Sequence, residues 1–274
     1  MLSYLCLACV VAVRMMEVDK FVPEGDRPRV AREILRCVEE GFAEGLSAIK
    51  LGVRCFSRLC ELTGCEDPYR EAKAQLHHTA LKFLKAGRVS NEPASLAKLA
   101  LAGNSLDPCV VGYKVEELTS SVDVDEYSLR KLVDALSASR RVLYVLDNMG
   151  EAVFDALLAR WLCSEGKQVV VIAKGKPFET DVTLADVKRF QLAELFGDVE
   201  FRYTRDANPV FLSESRDLLE DMDLVIAKGL ANYEGFLEAP VETPSALLLK
   251  VKCPVLAEKF SKPQGSYLIL LENM

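Results

Sequence analysis

The sequence predicts an α/β protein. A mainly parallel, mixed, Rossmann-like sheet would form the middle of a three-layer α/β/α arrangement, preceded by an all-helical part. Three observations predict this. From Arg141 onward, short apolar runs alternate with amphipathic helical patterns. Upstream of about residue 135, nearly every segment carries helical spacing instead. The last two apolar runs, ALLLKV and SYLILLE, are joined by a short connection, so part of the sheet is expected to be antiparallel. The expected division is a helical part over 1–135 and an α/β part over 136–274. No linker rich in Gly, Pro or Ser separates them, so close packing is expected.

The opening MLSYLCLACVVAVR is apolar, but Arg14 interrupts it too early to span a bilayer. It also lacks a basic region ahead of the apolar run, so it reads as a buried N-terminal helix. Pro28 to Phe42 places Val30, Ile34, Cys37, Val38 and Phe42 on one helix face. A further helical pattern runs from Leu46 to Leu62. Asp67-Pro68 marks a start, with Asp67 as N-cap of a helix reaching about Lys85. Ala94 to Ala102 is a short helix expected to stop at Gly103. Ser128 to Ala138 leads into the first strand. In the second half, VLYVL, QVVVIA, VEFRYT and DLVIAKG are strands, with helices to about Cys163, over Thr183–Leu195 and over Ser213–Glu220.

Half of the 274 residues are hydrophobic and 27% are charged, a balance that buries a core and excludes a disordered chain. The net charge of -7, without a basic stripe bearing aromatics, argues against a nucleic-acid partner. It does not exclude an anionic substrate, because local cations can dominate a pocket. Nine cysteines without framework spacing point to a reducing, cytoplasmic setting, and no segment reaches membrane-spanning length.

The stretch RVLYVLDNMGEAVFD reads as buried strand, sharp turn and helix. In an open α/β sheet, ligands collect at the carboxyl ends of strands. Asp147 and Asn148 sit at such an end and are hard oxygen donors, of the kind that Mg²⁺ or Mn²⁺ prefer. The following helix N-terminus would favour an anion. An Asp-Asn pair is equally at home as a turn and N-cap, so these two residues alone leave both readings open. Their company narrows the choice. Lys174, Lys176 and Asp181 follow the second strand, and Lys228, Asn232 and Glu234 follow the fourth. Parallel strands would gather them on one rim, where opposed charges suit a metal with a phosphate ester. Rival phosphate machinery is missing. There is no G-x-x-x-x-G-K-[ST] loop, no G-x-G-x-x-G after the first strand and no G-x-S-x-G elbow. A covalent aspartyl route would need an acid two residues after Asp147, where Met149 stands.

The blocks LDNMGEAVFD, AKGKPFETDVT, DLVIAKGLANYEG and LLLKVKCPVLAEKF resemble, in order and spacing, the DUF89 family of metal-dependent damage-control phosphatases (ARMT1-like). CLAC, TGCEDPYREAK and LALAGNSLD resemble its archaeal and bacterial branch. The resemblance covers nearly the whole chain. It implies that Asp147, Asn148 and Asp181 are metal ligands, for Mn²⁺, Ni²⁺, Co²⁺ or Mg²⁺. It also implies that Lys228 is the phosphate-side lysine with Asn232 nearby, and that Glu151 is the acid after the glycine. Asn104 and Asp107 fall on a loop of the helical part that caps the pocket. One departure bears on substrate: Lys174-Gly175-Lys176-Pro177 replaces the usual Arg-Gly-Gly-Pro, losing a bidentate fork for phosphate.

The function so implied is hydrolysis of small phosphorylated metabolites, such as sugar phosphates or damaged cofactor phosphates. The ligand set would leave open positions for a water and a phosphate oxygen. Lys228 and the helix after Asn148 would stabilise phosphoryl charge, and Glu151 or another acid would orient the water. Two alternatives are an S-adenosylmethionine-dependent carboxyl methyltransferase and a non-catalytic phosphometabolite-binding protein. Other notable residues read as structural. Cys6 and Cys9 share a helix face without a second pair to complete a zinc site. His77 and His78, the only histidines, point about 100° apart on a helix. Lys250 and Lys252, alternating along a strand-like run, are expected to face solvent, with the alternative that one reaches the rim.

Overall fold

The computed structural model describes residues 3–87, 89–107, 109, 122–213 and 216–274. Among these, the helices are α1 (Tyr4–Phe21), α2 (Arg27–Ala43), α3 (Ala48–Thr63), α4 (Arg70–Ala86), α5 (Pro93–Gly103), α6 (Glu126–Ala138), α7 (Ala152–Ser164), α8 (Leu184–Arg189), α9 (Leu192–Phe196), α10 (Asp217–Glu220), α11 (Gly229–Glu238) and α12 (Pro254–Phe260). The strands are β1 (Arg141–Val145), β2 (Gln168–Ala173), β3 (Glu200–Tyr203), β4 (Leu224–Lys228), β5 (Ser245–Lys250) and β6 (Tyr267–Glu272).

The strands form one sheet in the order β3-β2-β1-β4-β5-β6, parallel except for β6, which runs antiparallel to β5. This is the α/β architecture that the sequence predicts. The apolar runs are continuous because both faces are covered. Side chains alternate between the two covers, as a strand's two-residue period requires. Val142 and Tyr144 of β1 join one core with α5, α6 and α7, whereas Leu143 and Val145 join the other with α11 and α12. Fully burying one such aliphatic side chain contributes about 1.5–3 kcal/mol. The chain winds outward from β1 to β2 and β3, then crosses to β4 on the other side of β1. That reversal opens a crevice at the carboxyl ends of β1 and β4, where such sheets bind ligands.

The helical part starts well capped. Ser3 accepts from Leu5 N at 3.2 Å, Ser47 accepts from Lys50 N, and α3 ends on Gly64 in the left-handed region. Val30 and Ile34 of α2 pack with Val18 and Leu59, and Cys37 and Val38 pack with Leu51 and Cys55. α5 and α6, which lie within the first 135 residues for most of their length, pack on the sheet and share its core.

Several sequence expectations are corrected. α5 does stop at Gly103, as expected, and a separate 3₁₀ turn at Asn104–Leu106 follows, but Gly103 is not a left-handed cap. Its lack of a side chain serves close packing instead, since a Cβ there would meet Glu151 Cβ at 2.6 Å. Tyr69, rather than Asp67, precedes α4, and the Asp67 carboxylate accepts from Tyr69 N and Lys73 Nζ. The single helix expected over Thr183–Leu195 is split into α8 and α9, and α10 begins later than expected. α1 is not a buried helix. Tyr4, Leu5 and Met16 are exposed, and its buried residues are Arg14, Glu17 and Val18. Its apolar side chains face a cavity described below.

Candidate active site

β1 delivers Asp147 and Asn148 to the crevice. The segment after β2 folds back alongside them. Val182 N donates to Asp147 O at 2.8 Å, Met149 N to Thr180 O at 2.8 Å, and Asn148 and Asp181 form an antiparallel bridge. This pairing seats Asp181 beside the β1 turn. Asp147 also lies against the start of α11, where Gly229 has φ +78°. A Cβ at 229 would stand 1.9 Å from Asp147 Oδ2, so only glycine permits this approach.

Asp147 and Asp181 are buried, with Asp107 close by. Burial, then Asp181, Glu151 and Asp107, push the Asp147 carboxyl well above its usual range. Burial likewise raises Asp181, against the pull of Lys174, whose Nζ lies 2.6 Å from Asp181 Oδ2. Burial would raise Asp107 too. The Lys252 ammonium, 2.7 Å away, with hydrogen bonds from Cys109 N and Thr180 Oγ1, outweighs it and holds this carboxyl low.

No group of three or more His, Cys, Asp or Glu side chains placed to hold a metal occurs among the described residues. The set that fits a cation is two carboxylates and an amide: Asp147, Asp181 and Asn148. The carboxylates are mutually destabilised hard oxygens that a divalent ion would neutralise. Asn148 Oδ1 already accepts from Gly150 N at 2.9 Å and keeps its second lone pair.

Behind this floor lies a closed polar network. Lys228, fully buried, donates to Ala100 O at 2.8 Å, Glu151 at 2.5 Å and Asp155 at 3.0 Å. Burial alone would lower its pKa, but the two carboxylates raise it and keep it protonated. Its three N–H groups are used, so Lys228 does not offer itself to a phosphate. It locks the framework. Glu151 accepts from Asn148 N, Asn148 Nδ2, Asn104 Nδ2 and Lys228, and so holds the turn rather than a water. Tyr144 donates to Asp155 at 2.7 Å. Asn104 reaches Asp147 Oδ2 at 3.3 Å and accepts from Lys250 N at 3.1 Å. Asn232 donates to Leu146 O and Lys228 O, tying the ends of β1 and β4, and is likewise structural here. In the turn before α7, the N–H groups of Met149, Gly150 and Glu151 are taken by Thr180 O, Asn148 Oδ1 and Asn148 O. Lys176 is exposed and lies outside the cavity wall.

Sequence reasoning favoured a solvent-facing Lys252 and left a place at the rim only as the alternative. Neither Lys250 nor Lys252 faces solvent: both are buried, Lys250 at the end of β5, which is covered on both faces, and Lys252 just beyond it against Asp107. Lys250 Nζ donates to Ser105 Oγ at 3.0 Å. Lys252 sits by Asp107, with Asp147 and Glu151 adding to the charge that raises its pKa against burial. The length of the apolar run ALLLKV, which marks a doubly covered strand, was the signal for the burial of Lys250.

A cavity of about 440 Å³ opens onto Asp107, Asp147 and Asp181 and is walled by α1, α3, α11 and the start of α12. The model of the damage-control phosphatase ARMT1-like domain matches residues 3–268. The chain belongs to this family. A damage-control phosphatase of Archaeoglobus fulgidus is 28% identical over 276 residues, covering 93% of this chain and 94% of that protein. A damage-control phosphatase of Pyrococcus horikoshii is 27% identical over 286 residues, covering 99% and 98%. An uncharacterized protein of Methanocaldococcus jannaschii is 26% identical, covering 97% and 93%. The crystal structure of a DUF89 family protein from Pyrococcus horikoshii superposes with a TM-score of 0.80 at 25% identity, covering 98% of each chain. The fold is thus the family's, and phosphatases are among the relatives that share it over nearly full length.

Proposed function

We propose that this chain is a divalent-metal-dependent phosphatase that hydrolyses small phosphorylated metabolites. The observation that carries the reading is the meeting of two acid-bearing segments, at Asp147–Asn148 and at Asp181, in the crevice where the sheet reverses. Asp147, Asn148 and Asp181 would hold the ion. Once bound, Mn²⁺, Ni²⁺, Co²⁺ or Mg²⁺ supplies a Lewis acid and a water of lowered pKa. Lys174 offsets the charge of Asp181 and keeps its carboxylate oriented. Lys252, a compact point charge beside Asp107, meets the phosphoryl oxygens, and the N-terminus of α11 adds its partial positive charge. Glu151 and Lys228 hold Asn148 in place from behind. No observation favours the methyltransferase reading.

The test is phosphate release from a panel of phosphate esters, with and without each metal. Activity is expected with metal and lost in EDTA. Activity surviving both EDTA and Asp147→Ala would refute the reading. Metal and phosphate binding without turnover would mark a binding protein instead.

A further inference from the structure

Helices α2 and α3 form a hairpin over the short turn at 44–47, and two thiols meet between them. Cys55 donates its S–H to Cys37 Sγ at 3.4 Å. Val38 and Leu51 share this layer, and Leu7, Val10 and Val11 of α1 pack against it. A free cysteine packs as a small hydrophobe, but two in contact also carry redox chemistry.

The two thiols differ in access. Cys37 is 7% exposed and lines a groove of about 370 Å³ on the surface between α2 and α3. Cys55 is wholly enclosed and touches it from within. Arg36, Arg54 and Arg58 border the groove with Glu33, Glu40 and Glu61. A thiolate formed at Cys37 would lie near the Arg54 guanidinium. Burial and the neighbouring Cys37 push the Cys55 thiol up to about 12, so it stays protonated. A small oxidant entering the groove therefore meets Cys37 first, with Cys55 already in place to follow.

We infer that Cys37 and Cys55 form a dithiol site for peroxide, which closes to a reversible disulfide stapling α2 to α3. The Cys37 thiolate attacks one oxygen of hydrogen peroxide, the O–O bond breaks, and the leaving hydroxide takes up the thiol's proton as water. Cys37 is then a sulfenic acid. The Cys55 sulfur attacks Cys37 Sγ, the S–O bond breaks, and the departing hydroxide leaves as water with the Cys55 proton. Two thiols lose two electrons and two protons, and one peroxide becomes two waters. The sulfurs close from 3.4 Å to a bond of about 2.0 Å. Cys55 lies one turn beyond Gly52, which lines the cavity with Ile49 of the same helix. The staple thereby restrains that wall, while Asp147, Asn148 and Asp181 lie outside it. The inference does not depend on the phosphatase reading.

The experiment treats the reduced full chain with stoichiometric hydrogen peroxide well below its melting midpoint. Remaining thiols are blocked with iodoacetamide in denaturant, and tryptic peptides are mapped by mass spectrometry. Cleavage after Arg36, Arg54 and Arg58 separates Cys37, Cys55 and Cys60. The peptides bearing Cys37 and Cys55 are expected to appear joined, and dithiothreitol to release them. The melting midpoint is expected to rise by about 5 °C, because the crosslink restricts the unfolded chain between residues 37 and 55. Cys55→Ala is expected to hold Cys37 at the sulfenic acid, captured by dimedone, and to lose the rise. Recovery of both Cys37 and Cys55 as alkylated thiols overturns the inference, as does either one joined to a different cysteine. A joined pair with an unchanged or lower midpoint overturns the staple. Capture at Cys55 in Cys37→Ala, with none at Cys37 in Cys55→Ala, overturns the order of attack. The wild-type map decides the pairing even if neither variant folds.

Discussion

Two buried clusters lie back to back at the carboxyl ends of β1 and β4, and they differ in how their charges are balanced. In the rear cluster, Lys228 is shared by Glu151 and Asp155, with Tyr144, Asn104 and Asn148 supplying further donors. In the front cluster, Asp147, Asp181 and Asp107 border a cavity, Lys174 and Lys252 pair directly with Asp181 and Asp107, and Asp147 is pushed far from its ordinary ionisation. Both are buried in one protein, so burial alone does not make a site. The rear is closed and holds geometry. The front carries more acid than its lysines neutralise and opens to ligands, which is what a cation and a phosphate require.

The comparison can be broken most forcefully by exchanging what each cluster lacks. Asp147→Ala is expected to lower metal-dependent phosphate release by on the order of 10³-fold, the value of a lost Lewis acid. It should leave urea stability equal or higher, because a strained carboxylate disappears. A large stability loss would place Asp147 in the framework instead. Lys228→Met should do the reverse. Stranding Glu151 and Asp155 costs about 3–5 kcal/mol, read as a fall in the urea midpoint. A variant that stays stable but loses affinity for phosphate would return Lys228 to the front.

Lys252→Met is expected to reduce kcat/KM by about 10²-fold, as for a lost oxyanion donor. Lys176→Ala should stay within about twofold, as an exposed surface change. Parallel steady-state kinetics check both, and equal effects would erase the distinction between them.

The smallest effect concerns Glu234, whose carboxyl burial pushes up to about 7. The folded chain therefore keeps its proton while the unfolded chain ionises near 4.5. Stability falls as pH rises through that window and levels off above it. Glu234→Gln should match the wild type at pH 4 and exceed it at pH 8 by about 1 kcal/mol, allowing for partial exposure. Urea curves at the two pH values check this.

Much of this was legible in the sequence. Strands and covering helices followed from apolar runs alternating with amphipathic ones, whereas the strand order with its reversal at β1 did not. Asp147 and Asn148 stood out as polar residues at a buried strand end, whereas Asp181 was singled out as a ligand through the family resemblance. What stayed hidden was the direction in which lysines point. Lys228 and Lys252 look alike as strand-end lysines, yet one is enclosed by Glu151 and Asp155 and the other by Asp107. That choice depends on contacts between α5, α7 and β5, far apart in sequence. The exposed face of α1 was hidden for a similar reason. Its apolar spacing reads the same whether it meets a core or a cavity.

The pairing of residues 180–182 with Asp147–Met149 has an evolutionary consequence. It makes the acid-bearing loops one rigid unit with the sheet. α1 meets that unit's loop at Arg14, which pairs with Glu179 and lies over the Phe178 ring. On the proposed reading, the α1 side of the cavity and the acid floor can therefore diversify separately. Exchanging the first fifteen or so residues between relatives should transplant substrate preference while leaving the reaction behind it intact.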